Sequence, residues 1–164
     1  MMITRAATLD DAERISGLLM ANTAHRGGML VGDWSVGAVR ECLAAGQLII
    51  IATDAADLLG VLFTSEKSQA TAPPVVAMRA AWPGSADAYV YGPVCVDRVA
   101  RGRGVLEALY AEVVARRPGR EAVLFIKTDN ERSLRAHTRL GMVQVASFAL
   151  GAETFTVLSS RGTT

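Results

Sequence analysis

The amino-acid sequence predicts an α+β fold, on three observations. The first is residues 90–114, where an apolar segment (Val90, Tyr91, Val94, Cys95, Val96) runs into Arg101-Gly102-Arg103-Gly104. Val105, Leu106, Leu109, Tyr110, Val113 and Val114 then recur at helical spacing, so the run is strand, glycine-rich turn, helix. The second is a pair of apolar runs either side of residues 54–57, and another around Gly151, each reading as a hairpin. The third is the order of elements, β-α-α-β-β-β-α-β-α-β-β, with no internal repeat and no linker to divide it.

Each element has a local reason. Residues 2–6 are a short strand, and Thr8 can cap a helix whose stripe is Ala12, Ile15, Leu18 and Leu19. Asp10 and Asp11 lie in its first turn, where negative charge suits the helix dipole. Residues 23–28 (Thr23-Ala24-His25-Arg26-Gly27-Gly28) form a mobile connection, on which His25 and Arg26 are solvated or line an acceptor site. Asp33 or Ser35 opens a second helix through about Ala45, with Val36, Val39, Cys42 and Leu43 inward, and Gly46 stops it. Residues 47–53 (QLIIIAT) and 58–64 (LLGVLFT) are paired strands. Pro73-Pro74 can start a short helix that Pro83-Gly84 ends. Arg117-Pro118-Gly119 closes the helix after Gly104, and residues 122–127 (AVLFIK) are a buried strand. Asp129 or Asn130 caps the last helix, which ends at Gly141 and carries Ser133, Ala136, His137 and Leu140 on one face. Residues 142–150 and 153–159 are two antiparallel strands.

With 164 residues and 51% hydrophobic composition, the chain suffices for one domain, residues 1–164, with a substantial core. The net charge of +1 lacks the broad basic surface that nucleic-acid affinity needs, and Arg101 to Gly104 is a single unit without interleaved aromatics. No Gly-Lys-Ser/Thr follows the loop, which excludes a Walker-type site. Cys42 and Cys95 have no metal-ligand spacing and read as reduced thiols of a cytoplasmic protein. No metal site is expected. Acidic residues precede any signal-like apolar core, and no run approaches membrane-spanning length, so no membrane association is expected.

The turn before Val105 is chemically distinctive. Nothing from Ala100 to Gly104 is a Ser, Thr, Asp or Asn that could cap the helix, so its first N–H groups lack a side-chain acceptor. Two glycines allow close approach, and Arg98, Arg101 and Arg103 add positive charge. These features suit an anion site; the same residues also suit a solvated helix start with surface arginines.

Taken together, the residues resemble the GNAT superfamily of acyl-CoA-dependent N-acyltransferases. The family's pyrophosphate loop, Gln/Arg-x-x-Gly-x-Gly/Ala, is matched by Arg101-Gly102-Arg103-Gly104-Val105-Leu106, with Leu106 in place of the final small residue. Its second motif, Asn-x-x-Ala-x-x-Phe-Tyr-x-x-Leu-Gly-Phe, is matched in spacing by Asn130, Ser133, Ala136, His137 and Leu140-Gly141-Met142. Ser133, Ala136, His137 and Met142 depart from it in identity. The element order matches along nearly all of the chain.

The resemblance implies a three-layer α/β/α architecture, with a mixed, mostly antiparallel sheet whose central strands splay. It implies acetyl-CoA as the acyl donor, its pyrophosphate on the amides of Gly102 to Leu106 and its pantetheine along Val94, Cys95 and Val96. Pro93 fits such a break, because proline cannot donate to a sheet ladder. Asn130 and Ser133 are implied as further contacts with the donor. The N–H of Val96 is implied as the oxyanion donor, and His137 stands where relatives carry a Tyr that meets the CoA sulfur.

Histidine can serve there, since its ordinary pKa is about 6.5 against about 8.5 for a thiol. The other reading of His137 is a semi-buried ring bonded to backbone. The general base is unassigned among Glu66, Asp87, Tyr89, Tyr91 and a water chain. Cys95 has no adjacent activating base to make it a nucleophile. Met78 and Trp82 read as core. The expected function is acetyl transfer from acetyl-CoA to a primary amine of a small molecule by direct attack on the thioester. The alternative is a non-catalytic acyl-CoA-binding sensor. The sequence leaves the oligomeric state open, a homodimer included.

Overall fold

The computed structural model describes residues 1–23 and 32–163. His25 and Arg26, with the glycines beside them, lie outside the described residues. In chain order the elements are β1 (Met2–Ala6), α1 (Ala12–Met20), α2 (Val36–Ala44), β2 (Ile49–Asp54), β3 (Asp57–Ser65), α3 (Pro73–Ala81), β4 (Tyr89–Val96), α4 (Val105–Arg116), β5 (Ala122–Lys127), α5 (Glu131–Arg139), β6 (Val143–Leu150) and β7 (Glu153–Ser159). The strand order is β1-β2-β3-β4-β5-β7-β6. Pairings β1–β2, β2–β3, β5–β7 and β6–β7 are antiparallel, whereas β4–β5 is parallel. The fold is therefore α+β with a mixed sheet of seven strands, as the sequence predicts.

The chain divides into two compact units, each discontinuous in sequence: Met1–Thr64 with Pro93–Pro118, and Ser65–Gly92 with Gly119–Thr164. The chain passes from the second unit to the first within β4. In the first unit β2 is buried on both faces. On one face Ile49, Ile51, Val61, Phe63 and Cys95 pack against Ala12, Ile15 and Leu19 of α1 and Val39 of α2. On the other, Gly60 of β3 lies against Val105 and Leu109 of α4. The α1 and α2 starts are local chemistry: the Thr8 N–H donates to Asp11 Oδ2 at 2.8 Å, and the Ala38 N–H donates to Ser35 Oγ at 3.2 Å. A turn of 3-10 helix at Leu9–Asp11 precedes α1, so the helix proper starts later than its cap suggests.

In the second unit, Val75 and Met78 of α3 pack on Val90, Val123 and Val157 of one sheet face. Tyr91, adjacent to Val90 in β4 and so on the opposite face, meets His137 of α5. Each unit thus has helices on both faces of its strands. Only two register pairs join β4 to β5, Tyr89↔Ala122 and Val90↔Val123. Gly92, at φ 121°, follows immediately and then Pro93, which has no N–H to donate. The break expected at the proline begins one residue earlier, at a backbone angle that glycine tolerates.

Candidate active site

The first unit carries the glycine turn. After β4 a 3-10 turn spans Arg98–Ala100, started by Asp97, whose carboxylate accepts from the Val99 N–H at 3.2 Å. Gly102 and Gly104 then adopt φ 83° and 78°, the left-handed region where a Cβ is disfavoured. Gly104 is the residue before α4, and no side chain caps the helix. The first intrahelical bond runs from the Ala108 N–H to the Gly104 carbonyl at 3.1 Å. The N–H groups of Val105, Leu106 and Glu107 therefore precede any intrahelical acceptor and point out at the positive end of the dipole. A Cβ added to Gly102 would meet nothing within 4 Å, so the turn is open to an approaching group. Arg98, Arg101 and Arg103 are all exposed, and Arg103 reaches Asp54 at 3.4 Å. The donor set suits a diphosphate: backbone amides, a dipole and cations, with Gly102 exposed and unobstructed.

Cys95 belongs to the core against α1 and α2, so by alternation Val94 and Val96 face the side that α4 covers. Burial pushes the Cys95 thiol up to about 11, with Arg101 opposing the rise and Asp97 adding to it. A thiol this basic is a poor nucleophile near neutral pH, in keeping with the sequence reading.

The second unit carries His137. Its Nδ1 lies 2.8 Å from the Ser133 carbonyl, which can only accept, so Nδ1 holds the proton. Nε2 is then a lone pair, and it accepts from the Tyr91 hydroxyl at 2.9 Å. The Ser133 hydroxyl lies 3.3 Å from Nδ1, and the two rings meet edge to face with centroids 5.3 Å apart. The site is dry: His137 is 2% exposed and Tyr91 3%. Burial holds the imidazole below its ordinary pKa, and the Ser133 carbonyl only partly offsets this. His137 is thus a neutral imidazole with both nitrogens engaged. Asn130 is the N-cap of α5, its Oδ1 accepting from the Ser133 N–H at 3.3 Å.

The base candidates separate clearly. Glu66 is held by Arg120 in two hydrogen bonds of 2.9 and 2.7 Å, and Asp87 is exposed. Tyr89 is buried with the Arg120 guanidinium 5.7 Å over its ring. Tyr91 touches His137, another residue singled out from the sequence, and that contact spans 46 positions, which no local pattern signals. Glu121 is a buried carboxylate that sequence reasoning missed altogether. Among the described residues, no three His, Cys, Asp or Glu side chains converge as metal ligands, and no helix is long and apolar enough to cross a membrane.

No protein-family model matches the chain, and no curated protein matches it in sequence. Solved structures do match in fold. An acetyltransferase of the GNAT family from Streptococcus pneumoniae superposes with a TM-score of 0.71 at 13% identity, covering 97% of this chain and 98% of that one. An N-acetyltransferase from Staphylococcus aureus gives 0.70 at 15% identity, covering 97% of each chain. NAA60 of Arabidopsis thaliana, in complex with acetyl-CoA, gives 0.69 at 15% identity, again covering 97% of each. Agreement over almost the whole length of both chains, together with the parallel β4–β5 pair and the glycine turn into α4, shows that this chain has the GNAT acetyltransferase fold.

Proposed function

We propose that residues 1–164 act as one N-acetyltransferase domain that moves an acetyl group from acetyl-CoA to a primary amine of a small molecule. The observation that carries this is the uncapped start of α4, where two left-handed glycines present consecutive amides to an anion. The amides of Gly102, Gly104, Val105 and Leu106, with the Arg101 and Arg103 guanidinium groups, hold the diphosphate of the donor; the Arg103 N–H itself donates to the Ala100 carbonyl at 3.3 Å. The β4 backbone at Val94, Cys95 and Val96 takes the pantetheine, and the Val96 N–H supports the developing oxyanion. Asn130, Ser133 and His137 serve the same donor from α5. That a structure of like fold is in complex with acetyl-CoA supports the choice of donor. No metal takes part, and the site of action is the cytoplasm.

The second reading, an acyl-CoA sensor without turnover, is favoured by the saturated ring of His137, both of whose nitrogens already have partners. Calorimetric titration with acetyl-CoA followed by a thiol-release assay over a panel of primary amines separates the two. The enzyme reading predicts saturable binding and thiol release that depends on the amine. Binding with no release across the panel supports the sensor; no binding at all removes both.

A further inference from the structure

We infer that a cavity on the first unit binds an α-amino acid with an apolar side chain, and that this amino acid is the amine acceptor. The inference rests on the acetyltransferase reading above and narrows its substrate. The cavity, of about 360 Å³, lies between one face of α1 and the turn that follows β4. That face is Arg14, Gly17 and Leu18 of α1, then Ala21 and Asn22 of the turn that ends it, a run at helical spacing. It flanks the core stripe of Ala12, Ile15 and Leu19 but stays open. Gly17 is the reason: a Cβ built there would meet nothing within 4 Å. Glycine inside a helix is disfavoured against alanine, so its place here calls for a cause, and an occupant of the cavity supplies one.

Opposite α1 stand Leu58 of β3, Asp97 and Arg98. Leu18, Ala21 and Leu58 make an apolar floor, and the polar groups around it carry both signs of charge. Asp97 uses Oδ1 on the Val99 N–H at 3.2 Å. Among the described residues its Oδ2 has no partner, and neither has the Arg98 guanidinium. Asn22 is 8% exposed, and its Nδ2 donates to the Leu18 carbonyl at 2.9 Å, which leaves Oδ1 as an acceptor. Arg14 is already held by Asp11 at 2.9 Å. A cation, an anion and a neutral acceptor around one apolar floor match a zwitterion. Its ammonium goes to Asp97, with Asn22 Oδ1 as a second acceptor, its carboxylate to Arg98, and its side chain to the floor.

The cavity stands beside the place given to the thioester. Asp97 directly follows Val96, so their Cα atoms are about 3.8 Å apart. The Asp97 N–H donates to the Leu59 carbonyl at 2.8 Å, and N–H groups alternate along an extended chain. The Val96 N–H therefore points away from β3. Asp97 shares with Cys95 the face that α1 covers, opposite the face of α4, so acceptor and diphosphate do not compete for space. In the reaction the ammonium first gives one proton to solvent. The neutral amine then bonds to the acyl carbon, the C–S bond breaks, and one further proton leaves nitrogen and ends on sulfur. The products are an N-acetyl amino acid, the CoA thiol and one solvent proton. Acetylation removes the cation that Asp97 held, which favours release.

Calorimetry of the full chain with L-leucine tests the cavity, and thiol release from acetyl-CoA with L-leucine as the amine tests its role. L-Leucine should bind saturably. L-Leucinamide, which lacks the carboxylate, and N-acetyl-L-leucine, which lacks the ammonium, should each bind about tenfold more weakly or worse. Gly17→Leu fills the cavity and replaces a poor helix former with a good one, so the thermal midpoint should not fall. In that variant acetyl-CoA affinity should stay within about twofold, while L-leucine binding and L-leucine-dependent thiol release are both lost. Arg98→Gln should weaken L-leucine by about tenfold, and it decides the matter should Gly17→Leu fold poorly. No saturable L-leucine binding, binding that survives both variants, or binding without thiol release overturns the inference. Thiol release with other primary amines but not L-leucine would leave the acetyltransferase reading standing without it; failure to bind acetyl-CoA would remove both.

Discussion

Glu121 carries a buried carboxylate with both oxygens saturated. Oε1 accepts from the N–H and hydroxyl of Ser85, at 2.7 and 2.9 Å, while Oε2 accepts from Trp82 Nε1 at 3.0 Å and from the Ser159 hydroxyl. Burial by itself pushes this carboxyl up, but the four donors, Ser159 first among them, outweigh it and hold the group below its usual range. Replacing Glu121 with Gln removes the charge and turns an acceptor into a donor against Trp82 or Ser159. The expected loss is about 1–3 kcal/mol of unfolding free energy, read from urea denaturation. An unchanged midpoint would mean that the donors find water instead. Nothing in the sequence marked this residue, because its partners lie 36 to 39 positions away. Asp11 was legible as a helix-start acid, yet its largest influence, two hydrogen bonds of 2.9 Å from Arg5, comes from the strand before it. Asp11→Ala strands Arg5 and Arg14 and removes the acceptor of the Thr8 N–H, an expected cost of about 2–3 kcal/mol by the same measurement.

The start of α4 is set by what β3 leaves out. A Cβ on Gly60 would lie 2.8 Å from Val105 Cγ1 and 3.1 Å from the Cys95 carbonyl, so only glycine lets α4 seat its first turn on the strand. Gly60→Ala should cost about 1–3 kcal/mol by overpacking. Because the strain falls on Val105, acetyl-CoA affinity should weaken too, by about tenfold for each 1.4 kcal/mol that reaches the bound state. Thermal unfolding and calorimetry read the two effects separately; a destabilised variant with wild-type affinity would show that the turn does not depend on this contact. The helices and strands were legible because periodicity and punctuation agreed: Ser35 and Asn130 cap where expected, and Pro73 starts α3. The 3-10 turns at Leu9–Asp11 and Arg98–Ala100 were not, since a single tight turn has no periodicity of its own.

Across the whole molecule, buried ionisable groups set the response to acid. Asp11 and Glu121 both have folded-state pKa values below their ordinary ones, so they stabilise the fold above the unfolded carboxylate range and lose that contribution as pH falls. His137 is buried neutral with a lowered pKa, so the unfolded chain binds its proton first, and stability also declines as pH falls below about 6.5. The denaturation midpoint should therefore drop in two stages, a small one below about 6.5 and a larger one below about 4. Tyr91→Phe leaves the second stage in place, and Asp11→Ala shrinks it. A flat midpoint down to pH 4 would contradict the histidine assignment.

At this scale the sequence revealed the order of elements and the turn into α4, because both are written in contiguous residues. It did not reveal that Tyr91 meets His137, because such contacts arise only when β4 and α5 pack. Nor did it show that Arg120 engages Glu66 and so withdraws it from the base candidates.

The central claim is that the amides entering α4 hold the diphosphate of acetyl-CoA. Amide NMR during titration with acetyl-CoA tests it most directly. The account predicts saturable shifts at Gly102, Gly104, Val105 and Leu106, reversed by competing CoA. No saturable change, or saturation with those four amides unmoved, would contradict it.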